Sequence, residues 1–320
     1  MAEWEPQRSV QLTWPHKDTD WAPILPEITA VYEEMAREIS KRESLIIVDD
    51  IPHNDTWARD HGFITVEETS DLSPQTSDLI LLDFKFNGWG EKFPADLDNQ
   101  INKQLFDKGL VKGVYEDHLD FVLEGGSIES DGKGTVFTTA CCLLAPHRNQ
   151  PLTAQQIEDR LKEYLGAERI VWLHHGSLIG DDTDGHIDTL VRICPDDTLL
   201  YTGGDEAHPD LYEMEHELQT LRTIEGKPYR LLKLPLPRPI YDTTAISHQP
   251  SAINRLPATY ANYLVINGAV LVPTYNQPDL DQEAMHVIQQ AFPDREIVGI
   301  DCRAVIKQHG SLHCCTMQYY

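Results

Sequence analysis

Four polar motifs recur along the chain at nearly equal distances, and this regularity constrains the fold more than any other feature of the sequence. Asp60, Glu124 and His186 are 64 and 62 residues apart, and Cys314 follows after a further 128 residues, twice 64. Such spacing is typical of repeat architectures, in which each structural unit contributes a loop at a similar position. The spacing therefore predicts a modular fold of about five units, each delivering one loop to a common centre.

Short apolar runs rich in β-branched residues predict strands, and stretches with apolar residues at helical spacing lie between some of them. The predicted strands cover 44–50, 78–86, 121–126, 134–145, 169–173, 198–204, 262–275 and 295–301. The predicted helices cover 28–39, 157–165, 212–221 and 283–292, and Thr153 with Gln156 forms a capping box before the second. These elements indicate an α/β architecture. Because no linker or charge block divides the chain, and the proline cluster at 234–242 is interpreted as a rigid connection, we expect residues 1–320 to form a single domain.

An excess of acidic residues restricts the partners of the chain. Fifty-two Asp and Glu residues stand against 26 Lys and Arg, which gives a formal net charge of -26. Such a surface repels phosphate backbones and anionic membranes, so we expect neither a nucleic-acid nor a membrane partner, and cationic ligands are favoured. Residues 1–16 lack a basic start followed by an apolar run, and no stretch reaches the ~18 apolar residues that a bilayer span requires. We therefore expect a cytoplasmic protein, and a homo-oligomer is compatible with the sequence.

The cysteine pattern argues against structural roles in metal binding or cross-linking. Six cysteines lie at 141, 142, 194, 302, 314 and 315, with two adjacent pairs and no C-x-x-C spacing. In a reducing cytosol such residues are usually small buried hydrophobes, so neither a zinc finger nor a disulfide framework is expected. If "LHCCT" is extended, Cys314 and Cys315 point to opposite faces. A thiol nucleophile and a buried strand end both remain open for this pair.

Two further motifs place a carboxylate beside a turn. In "NDTWARDHG", 54–62, Asp60 follows Trp57 by three residues, and a Trp face beside a carboxylate suits a flat cation such as guanidinium. The alternative is an ion pair of Arg59 with an Asp beside a core Trp. In "VLEGGSIESDGKGT", 122–135, Glu124 ends a predicted strand before two glycines, where chain and ligand can approach closely. The alternative there is a hairpin with a solvated Glu.

The densest group of ionisable residues is "GDDTDGHIDTLVRI", 180–193. If this segment is a strand, His186, Asp188, Leu190 and Arg192 share one face. A His two residues before an Asp on one face suits a general acid/base with a charge partner, or two metal ligands. A calcium loop of the EF-hand type is not supported, because the spacing lacks its terminal Glu.

Taken together, the motifs resemble those of the agmatine deiminase and peptidylarginine deiminase-like group of guanidine-modifying enzymes. The resemblance rests on "NDTWARD" 54–60, "FNGWGEKFPADLDNQ" 86–100, "LEGGSIESDG" 123–132, "GDDTDGHIDT" 180–189, "RLPATYANYL" 255–264 and "HGSLHCCTMQ" 309–318, which occur in the order of that family. It implies an α/β propeller of five ββαβ-type modules around a pseudo-fivefold axis, with the C-terminal segment in the closing module.

The resemblance also implies roles for individual residues and requires neither a metal nor an organic cofactor. The nucleophile would be Cys314 and the general acid/base His186, with a nearby positive charge setting the pKa of Cys314. The remaining residues would bind the guanidinium or assist catalysis: the carboxylates of Asp60 and Asp188, the catalytic carboxylate of Glu124, the Trp57 wall and the acidic Asp182 on the substrate loop.

The implied reaction is hydrolysis of agmatine to N-carbamoylputrescine and ammonia through a covalent Cys thiouronium. Agmatine is favoured because "GDDTD" supplies acid near His186, whereas free arginine requires a cationic clamp for its carboxylate. Arg192 or Arg148 could provide that clamp, so arginine or peptidylarginine is an alternative. A second alternative is a non-catalytic metal- or polyamine-binding protein in which "DDTDGHID" is the ligand set. Residues 86–99, with an aromatic between glycines, are a candidate lid or an ordinary surface loop.

Overall fold

The fold is built from five small sheets of three strands each. The computed structural model describes residues 1–67, 79–242 and 255–320. Within them the strands are β1 (Ser9–Thr13), β2 (Ser44–Val48), β3 (Ile64–Glu67), β4 (Leu79–Lys85), β5 (Val114–Val122), β6 (Ile128–Ser130), β7 (Thr135–Thr139), β8 (Arg169–Leu173), β9 (Val191–Cys194), β10 (Thr198–Thr202), β11 (Arg230–Leu234), β12 (Leu264–Ile266), β13 (Ala269–Thr274), β14 (Glu296–Asp301) and β15 (Thr316–Tyr319). Asp78, the first residue of the predicted strand 78–86, lies outside the described residues.

Helices and short turns connect these strands. The helices are α1 (Leu25–Ser40), α2 (Ala58–His61), α3 (Gly88–Glu91), α4 (Ile101–Asp107), α5 (Ala140–Leu143), α6 (Ala154–Leu165), α7 (Pro209–Thr220) and α8 (Pro278–Ala291). Single 3₁₀ turns lie at Ala22–Ile24, Asp98–Gln100, Gly125–Ser127, Ile187–Thr189, Val305–Gln308 and His313–Cys315. None of the helices in the described part of the chain is both long and apolar enough to cross a bilayer.

Each sheet repeats one topology. In the order β3-β4-β5, for example, the first two strands pair antiparallel and the second pairs parallel with the third, with helices between them in the chain. The sheets β6-β7-β8, β9-β10-β11 and β12-β13-β14 follow the same pattern. In the fifth sheet β15 pairs antiparallel with β1, and β1 pairs parallel with β2. The predicted five-module propeller is therefore confirmed, and β15 supplies the first strand of its closing module.

The core lies between the helices and the sheets that they cover. In α1, Ile28, Tyr32, Met35 and Ile39 are fully buried, a spacing that places them on one helix face. This face packs in one cluster with the apolar residues of β1 and β13. Burying a side chain of this size contributes about 1.5–3 kcal/mol, so the amphipathic pattern of α1 is sufficient to hold it against the sheet.

Most predicted helices and strands are confirmed, but some strands end earlier than expected. The predicted strand 121–126 is wrong after Val122, where β5 ends, and Glu124 directly precedes the 3₁₀ turn at Gly125–Ser127. The capping box of Thr153 and Gln156 is present at the start of α6. Residues 134–145 were expected to be extended throughout, but β7 ends at Thr139 and α5 begins at Ala140. The Thr139 side chain accepts a hydrogen bond from the backbone of Cys142 and so caps the helix.

The modular topology places five short segments next to one another. We call them the leading turns, because each directly precedes the first strand of a module. Helix α2 contacts the turns at Gly125–Ser127 and His313–Cys315. The turn at Gly125–Ser127 also contacts the turn at Ile187–Thr189. The leading turns are α2, Gly125–Ser127, Ile187–Thr189, residues 259–262 and His313–Cys315. The near-regular spacing of the polar motifs thus reflects the repeat of these turns.

Candidate active site

Asp60 lies in the first leading turn and is held by two donors. Its Oδ1 accepts a hydrogen bond from the backbone of Gly126 at 3.1 Å, and its Oδ2 accepts one from the indole of Trp89 at 2.9 Å. The Nδ1 atom of His186 lies 3.6 Å from Oδ1. Arg59 bonds to Gln318 rather than to this carboxylate. Gly126 and Trp89 therefore orient Asp60, and the alternative of an ion pair between Arg59 and Asp60 is wrong.

Asp188 connects two leading turns. Its Oδ2 accepts a hydrogen bond from His313 Nδ1 at 2.7 Å, and the Cys314 sulfur lies 3.9 Å from the same oxygen. The Asn262 side-chain oxygen accepts from the backbone of Cys314 at 3.3 Å and lies 3.4 Å from its sulfur. Four buried side chains thus place the Cys314 thiol beside a carboxylate.

The backbone around Cys314 differs from the expectation. His313–Cys315 is a 3₁₀ turn and β15 begins only at Thr316, so the prediction of an extended "LHCCT" is wrong. The two thiols nevertheless lie in different surroundings. Cys315 faces the backbone oxygen of Ser311 at 3.4 Å, away from Asp188. The separation results from the rotation between successive residues of a helical turn and not from strand alternation.

The segment 186–192 also differs from the expected strand. Ile187–Thr189 is a 3₁₀ turn and β9 begins at Val191. Arg192 lies on β9, where it forms ion pairs with Glu3 and Glu129. It also donates to the backbone oxygens of Ala261 and Tyr263. Arg192 therefore has no free donor for a substrate carboxylate, and the prediction of one shared face is wrong.

Glu124 is engaged on one oxygen only. Its Oε1 accepts from Arg148 Nε at 2.8 Å, and both side chains are fully buried. The other Arg148 nitrogens donate to Asp184 at 2.7 Å and to the backbone oxygen of Thr183 at 2.9 Å. Each nitrogen of Arg148 therefore has one acceptor within the protein.

A group of unpaired polar atoms marks the point at which these side chains meet. Buried polar groups normally have hydrogen-bond partners, and each exception requires an explanation. In the described part of the chain, five atoms without a hydrogen-bond partner belong to four residues of this cluster: Glu124 Oε2, His186 Nδ1 and Nε2, Asp188 Oδ1 and Asn262 Nδ2. Two of these atoms, Glu124 Oε2 and Asp188 Oδ1, are acceptors, which suits a ligand with several N–H groups.

The charges of the site shift the acid–base behaviour of its members. Burial and the charges of Asp188 and Glu124 raise the pKa of Asp60 to about 6. Burial opposes the protonated form of His186, but Asp60, Glu124 and Asp188 outweigh it and raise its pKa. Burial alone would raise the pKa of Asp188, but the hydrogen bond and charge of His313 lower it.

The thiol of Cys314 behaves differently from the expectation. Burial and the negative charges of Asp188 and Asp60 raise its pKa well above the ordinary value. The expected positive charge beside Cys314 is therefore wrong, because the charged groups nearest to it in the described residues are carboxylates.

A cavity of about 250 Å³ leads to the Cys314 side of this cluster. Trp57 and Asp182, both singled out by the sequence, lie in its wall, and the Trp57 ring packs directly against Gly310. Trp89 and Phe93 from the candidate lid also line it. Its complete lining is Asp20, Asp55, Trp57, Asp60, Trp89, Phe93, Asp182, Thr183, Gln308, His309, Gly310 and Cys314.

Sequence reasoning did not identify four residues of this region. Asn262 precedes β12 within "RLPATYANYL" and fills the interval between His186 and Cys314, so the interrupted spacing was a usable signal. His313, Glu3 and Cys142 gave no comparable signal. His313 binds Asp188, Glu3 binds His313 Nε2 at 3.0 Å, and Cys142 lies against Glu124 and His186.

The acidic segment 181–188 does not form a metal-ligand set. Asp181 accepts from Thr183 and from the backbone of Gly185, and Asp184 pairs with Lys92 and Arg148. Among the described residues, the two groups with metal-ligand geometry are Glu124, Cys142 and His186, and Glu3, Glu129 and His313.

Comparison with known proteins identifies the family. The model of the Porphyromonas-type peptidyl-arginine deiminase family matches residues 1–319. The chain belongs to this family. An agmatine deiminase of Medicago truncatula is 31% identical over 357 residues, which cover 99% of this chain and 95% of the relative. The resemblance inferred from the motifs is thereby confirmed.

Solved structures of related proteins agree with the fold. A Porphyromonas gingivalis protein provisionally named an arginine deiminase is 47% identical with a TM-score of 0.89, covering 100% of this chain and 97% of that chain. A cysteine-to-serine variant of a C. jejuni agmatine deiminase with substrate bound is 35% identical with a TM-score of 0.88, covering 100% and 95%. The chain is therefore an enzyme of the class that acts on a guanidino carbon–nitrogen bond, and the non-catalytic alternative is wrong.

Proposed function

We propose that the protein hydrolyses agmatine to N-carbamoylputrescine and ammonia. The observation that carries this proposal is the convergence of Asp60, Glu124, His186, Asp188 and the Cys314 thiol, with unpaired acceptors among them. A guanidinium is planar and presents N–H donors in several directions, so it complements these acceptors. We further propose that residues 1–320 act as one catalytic domain, because the site groups come from leading turns throughout the chain.

Binding of the substrate activates the nucleophile. The pKa of the Cys314 thiol is raised by burial and by Asp188 and Asp60, and a guanidinium held between these carboxylates offsets their charge. The thiol proton then leaves to solvent, and the thiolate lies beside the guanidinium carbon. Holding the thiolate over one face of the planar guanidinium carbon lowers the entropic part of the barrier.

The chemistry proceeds in two half-reactions. Cys314 Sγ forms a bond to the guanidinium carbon, and His186, whose raised pKa favours the imidazolium, donates a proton to the departing nitrogen. Ammonia leaves, and a covalent thiouronium remains on sulfur. Neutral His186 next takes a proton from water as its oxygen attacks the same carbon. The carbon–sulfur bond breaks and the remaining hydroxyl proton leaves to solvent, which releases the ureido product and restores the thiolate.

The supporting residues bind and orient. Asp60 and Asp188 accept from the guanidinium N–H groups, and Trp57 forms a wall over which the cation passes. Glu124 contributes its unpaired Oε2 and, through Arg148, is fixed in place. No group other than these side chains is needed for the two half-reactions.

The far end of the cavity favours an amine over a carboxylate. Besides Asp60 at the guanidinium end, the carboxylates of Asp20, Asp55 and Asp182 line the cavity, and among its described lining residues there is no Lys or Arg. Burial raises the pKa of Asp55 to about 7 and also raises that of Asp182. A terminal ammonium would stabilise these carboxylates in their ionised form. The carboxylate of free arginine would instead add a further negative charge beside them.

Arginine or peptidylarginine is the second candidate. It is favoured by the family description and by the provisional name of the Porphyromonas gingivalis relative. The commitment of Arg148 and Arg192 to internal partners argues against it, since these were the cations available to a substrate carboxylate.

Parallel assays of ureido product from agmatine, arginine and a peptidylarginine test the substrate. We expect kcat/KM to be highest for agmatine, and a preference for arginine would overturn this choice. In the same assays Cys314→Ala should abolish turnover and Cys315→Ala should retain it. A mass adduct on Cys314 after trapping with agmatine would support the covalent step, and an active Cys314→Ala enzyme would refute it.

A further inference from the structure

Two groups of buried side chains carry ligand atoms that lie within 4.8 Å of one another in the described parts of the chain. In the group of Glu3, Glu129 and His313, the Arg192 guanidinium already supplies a cation. It pairs with both carboxylates and approaches His313 Nε2 at 3.2 Å. That group is therefore neutralised by the protein itself.

The group of Glu124, Cys142 and His186 lacks such a cation at its centre. Arg148 pairs with Glu124 through Oε1 only, and Glu124 Oε2 and both nitrogens of His186 have no hydrogen-bond partner. All three residues are fully buried. Apart from the contact of His186 Nδ1 with Asp60 at 3.6 Å, the described chain provides no partner for the free oxygen of Glu124 or for the imidazole, and the Cys142 sulfur lies beside both.

Cys142 lies in α5, whereas the proposed nucleophile Cys314 lies in the leading turn His313–Cys315. Cys142 belongs to the first turn of α5, which the Thr139 side chain caps. Burial and the charge of Glu124 raise the pKa of its thiol. Cys142 has no role in the proposed hydrolysis. It packs in an apolar cluster with Leu143 and Ile157, and its sulfur also lies within 4.8 Å of ligand atoms of Glu124 and His186.

We propose that Glu124, Cys142 and His186 form an inhibitory site for a divalent ion of the zinc class. On binding, the Cys142 thiol releases its proton to solvent and donates a sulfur electron pair to the ion, while Glu124 and His186 donate from oxygen and nitrogen. The inhibitory consequence rests on the proposed function, because the ion would occupy the imidazole that transfers protons in hydrolysis.

The ligand chemistry selects this class of ion. Cysteine sulfur, histidine nitrogen and carboxylate oxygen together are typical of zinc, whereas magnesium and calcium prefer oxygen alone. Tetrahedral coordination at zinc bond lengths brings ligand atoms to roughly 3.5 Å from one another. The side chains must therefore draw together from their present spacing. The net negative charge contributed by Asp60 and Asp188 nearby favours a cation.

Metal titration of the purified protein tests the site without relying on turnover. We expect one Co²⁺ per chain with a sulfur-to-cobalt charge-transfer absorption, displaced by Zn²⁺ and removed by a chelator. Cys142→Ala and Cys142→Ser should lose this absorption. The matched control is Cys141→Ala, which removes the adjacent, exposed thiol and should bind as the unmodified protein does.

Inhibition by Zn²⁺ is then compared with each variant's own metal-free rate. We expect the concentration for half-inhibition to rise at least about tenfold in Cys142→Ala and to stay unchanged in Cys141→Ala. Equal sensitivity of all three proteins would overturn the proposal. So would loss of the cobalt absorption in Cys314→Ala with retention in Cys142→Ala, because the ion would then sit on the nucleophile.

The two proposals fail separately. The cobalt absorption of Cys314→Ala is measured on a protein that needs no activity, so metal binding there supports the ion site even if the hydrolytic role of Cys314 is refuted. Conversely, normal hydrolysis without a Cys142-dependent absorption refutes the ion site and leaves the proposed function intact. Cys142→Ser provides a nearly isosteric variant if Cys142→Ala folds poorly.

Discussion

Gly126 shows how little space separates the proposed catalytic groups. A Cβ atom at this position would lie 2.6 Å from His186 Nδ1, 2.8 Å from Asp60 Oδ1 and 3.3 Å from Asp188 Oδ2. Only glycine therefore lets three ionisable side chains surround one backbone position, and its N–H also donates to Asp60. The side chains of Asp60, His186 and Asp188 therefore pack against the backbone of Gly126.

Gly126→Ala should reduce activity far more than stability. The added methyl displaces His186 or Asp60, and a misplacement of about 1 Å can cost roughly 100-fold in rate. We expect kcat to fall about 100-fold or more, with a melting temperature close to that of the unmodified protein. The measurements are agmatine turnover and a thermal melt.

Gly109→Ala serves as the contrasting control. Gly109 has a φ of +68° and nothing within 4 Å of its Cβ position, so an alanine there meets only backbone strain. We expect a loss of about 1–2 kcal/mol in the free energy of unfolding, with unchanged turnover. If both variants lost activity in proportion to stability, the argument about Gly126 would be wrong.

At this scale the sequence identified the ionisable residues but not their partners. Asp60, Glu124, His186 and Cys314 stood out by residue type, spacing and resemblance. The contact of His313 with Asp188 joins residues 125 positions apart, and no local pattern encodes such a distance. The charge around Cys314 was misjudged for the same reason, since it depends on which carboxylates the fold brings together.

Among the secondary-structure elements, α3 has the most unusual backbone. Gly88, Trp89, Gly90 and Glu91 all have positive φ, from 56° to 86°, a conformation that is costly for residues other than glycine. Asn87 accepts from the backbone of Gly90 and Trp89 donates to Asp60. The strained turn thus positions the indole N–H of Trp89 so that it donates to Asp60, the proposed guanidinium-binding carboxylate.

Trp89→Phe should move the acid limb of the pH profile upward. Asp60 must be ionised to accept a guanidinium, so activity is present above its pKa of about 6 and is lost below it. The indole hydrogen bond lowers that pKa, and its removal raises it. We expect the acid limb of kcat/KM to rise by about half a pH unit or more.

Trp172→Phe is the matched control for this effect. Its indole donates to Glu158, a carboxylate outside the candidate site, so the acid limb should not move. A pH profile of Trp89→Phe that coincides with that of Trp172→Phe would count against the assignment of the limb to Asp60.

Long amphipathic helices were predictable at the element scale, and short turns were not. The four predicted helices correspond to α1, α6, α7 and α8 because their apolar spacing extends over several turns. In "TTACCLLA" and "LHCCT" the apolar run is too short to distinguish a strand from a helical turn. In the first of these segments the side-chain cap at Thr139 favours the helical turn α5 over a continued strand.

In the molecule as a whole, residues far apart in the chain share one network. Glu3 binds His313, pairs with Arg192 and accepts from the backbone of Val265 at 2.8 Å. His313 in turn orients Asp188. Glu3 is therefore a positioning residue, which acts on the proposed site through His313.

Glu3→Gln should lower kcat about tenfold, as expected for a small displacement of Asp188 during bond formation, with a smaller change in KM. Glu5→Gln is the control, because Glu5 lies in the same segment and binds only the backbone of Ala2 among its hydrogen-bond partners described. Steady-state kinetics and thermal melts of both variants check this. Equal kcat values in the two variants would show that Glu3 has no such role.

The number of modules was predictable from the spacing of polar motifs, whereas the ring closure needed three-dimensional information. The pairing of β15 with β1 joins Ser9 to Tyr319, and no sequence pattern specifies this register. The fourth leading turn, residues 259–262, was missed because Asn262 lies 76 residues after His186 rather than about 64, as the intervals of 64 and 62 elsewhere suggest.

The unpaired polar atoms at the centre of the ring have a thermodynamic consequence. Each buried group without a partner costs about 1–3 kcal/mol, and five such atoms belong to Glu124, His186, Asp188 and Asn262. A bound cation that pairs with the acceptors among these atoms should therefore raise the melting temperature. Selecting variants for heat resistance alone would favour apolar replacements at these positions and would remove the side chains that perform the chemistry.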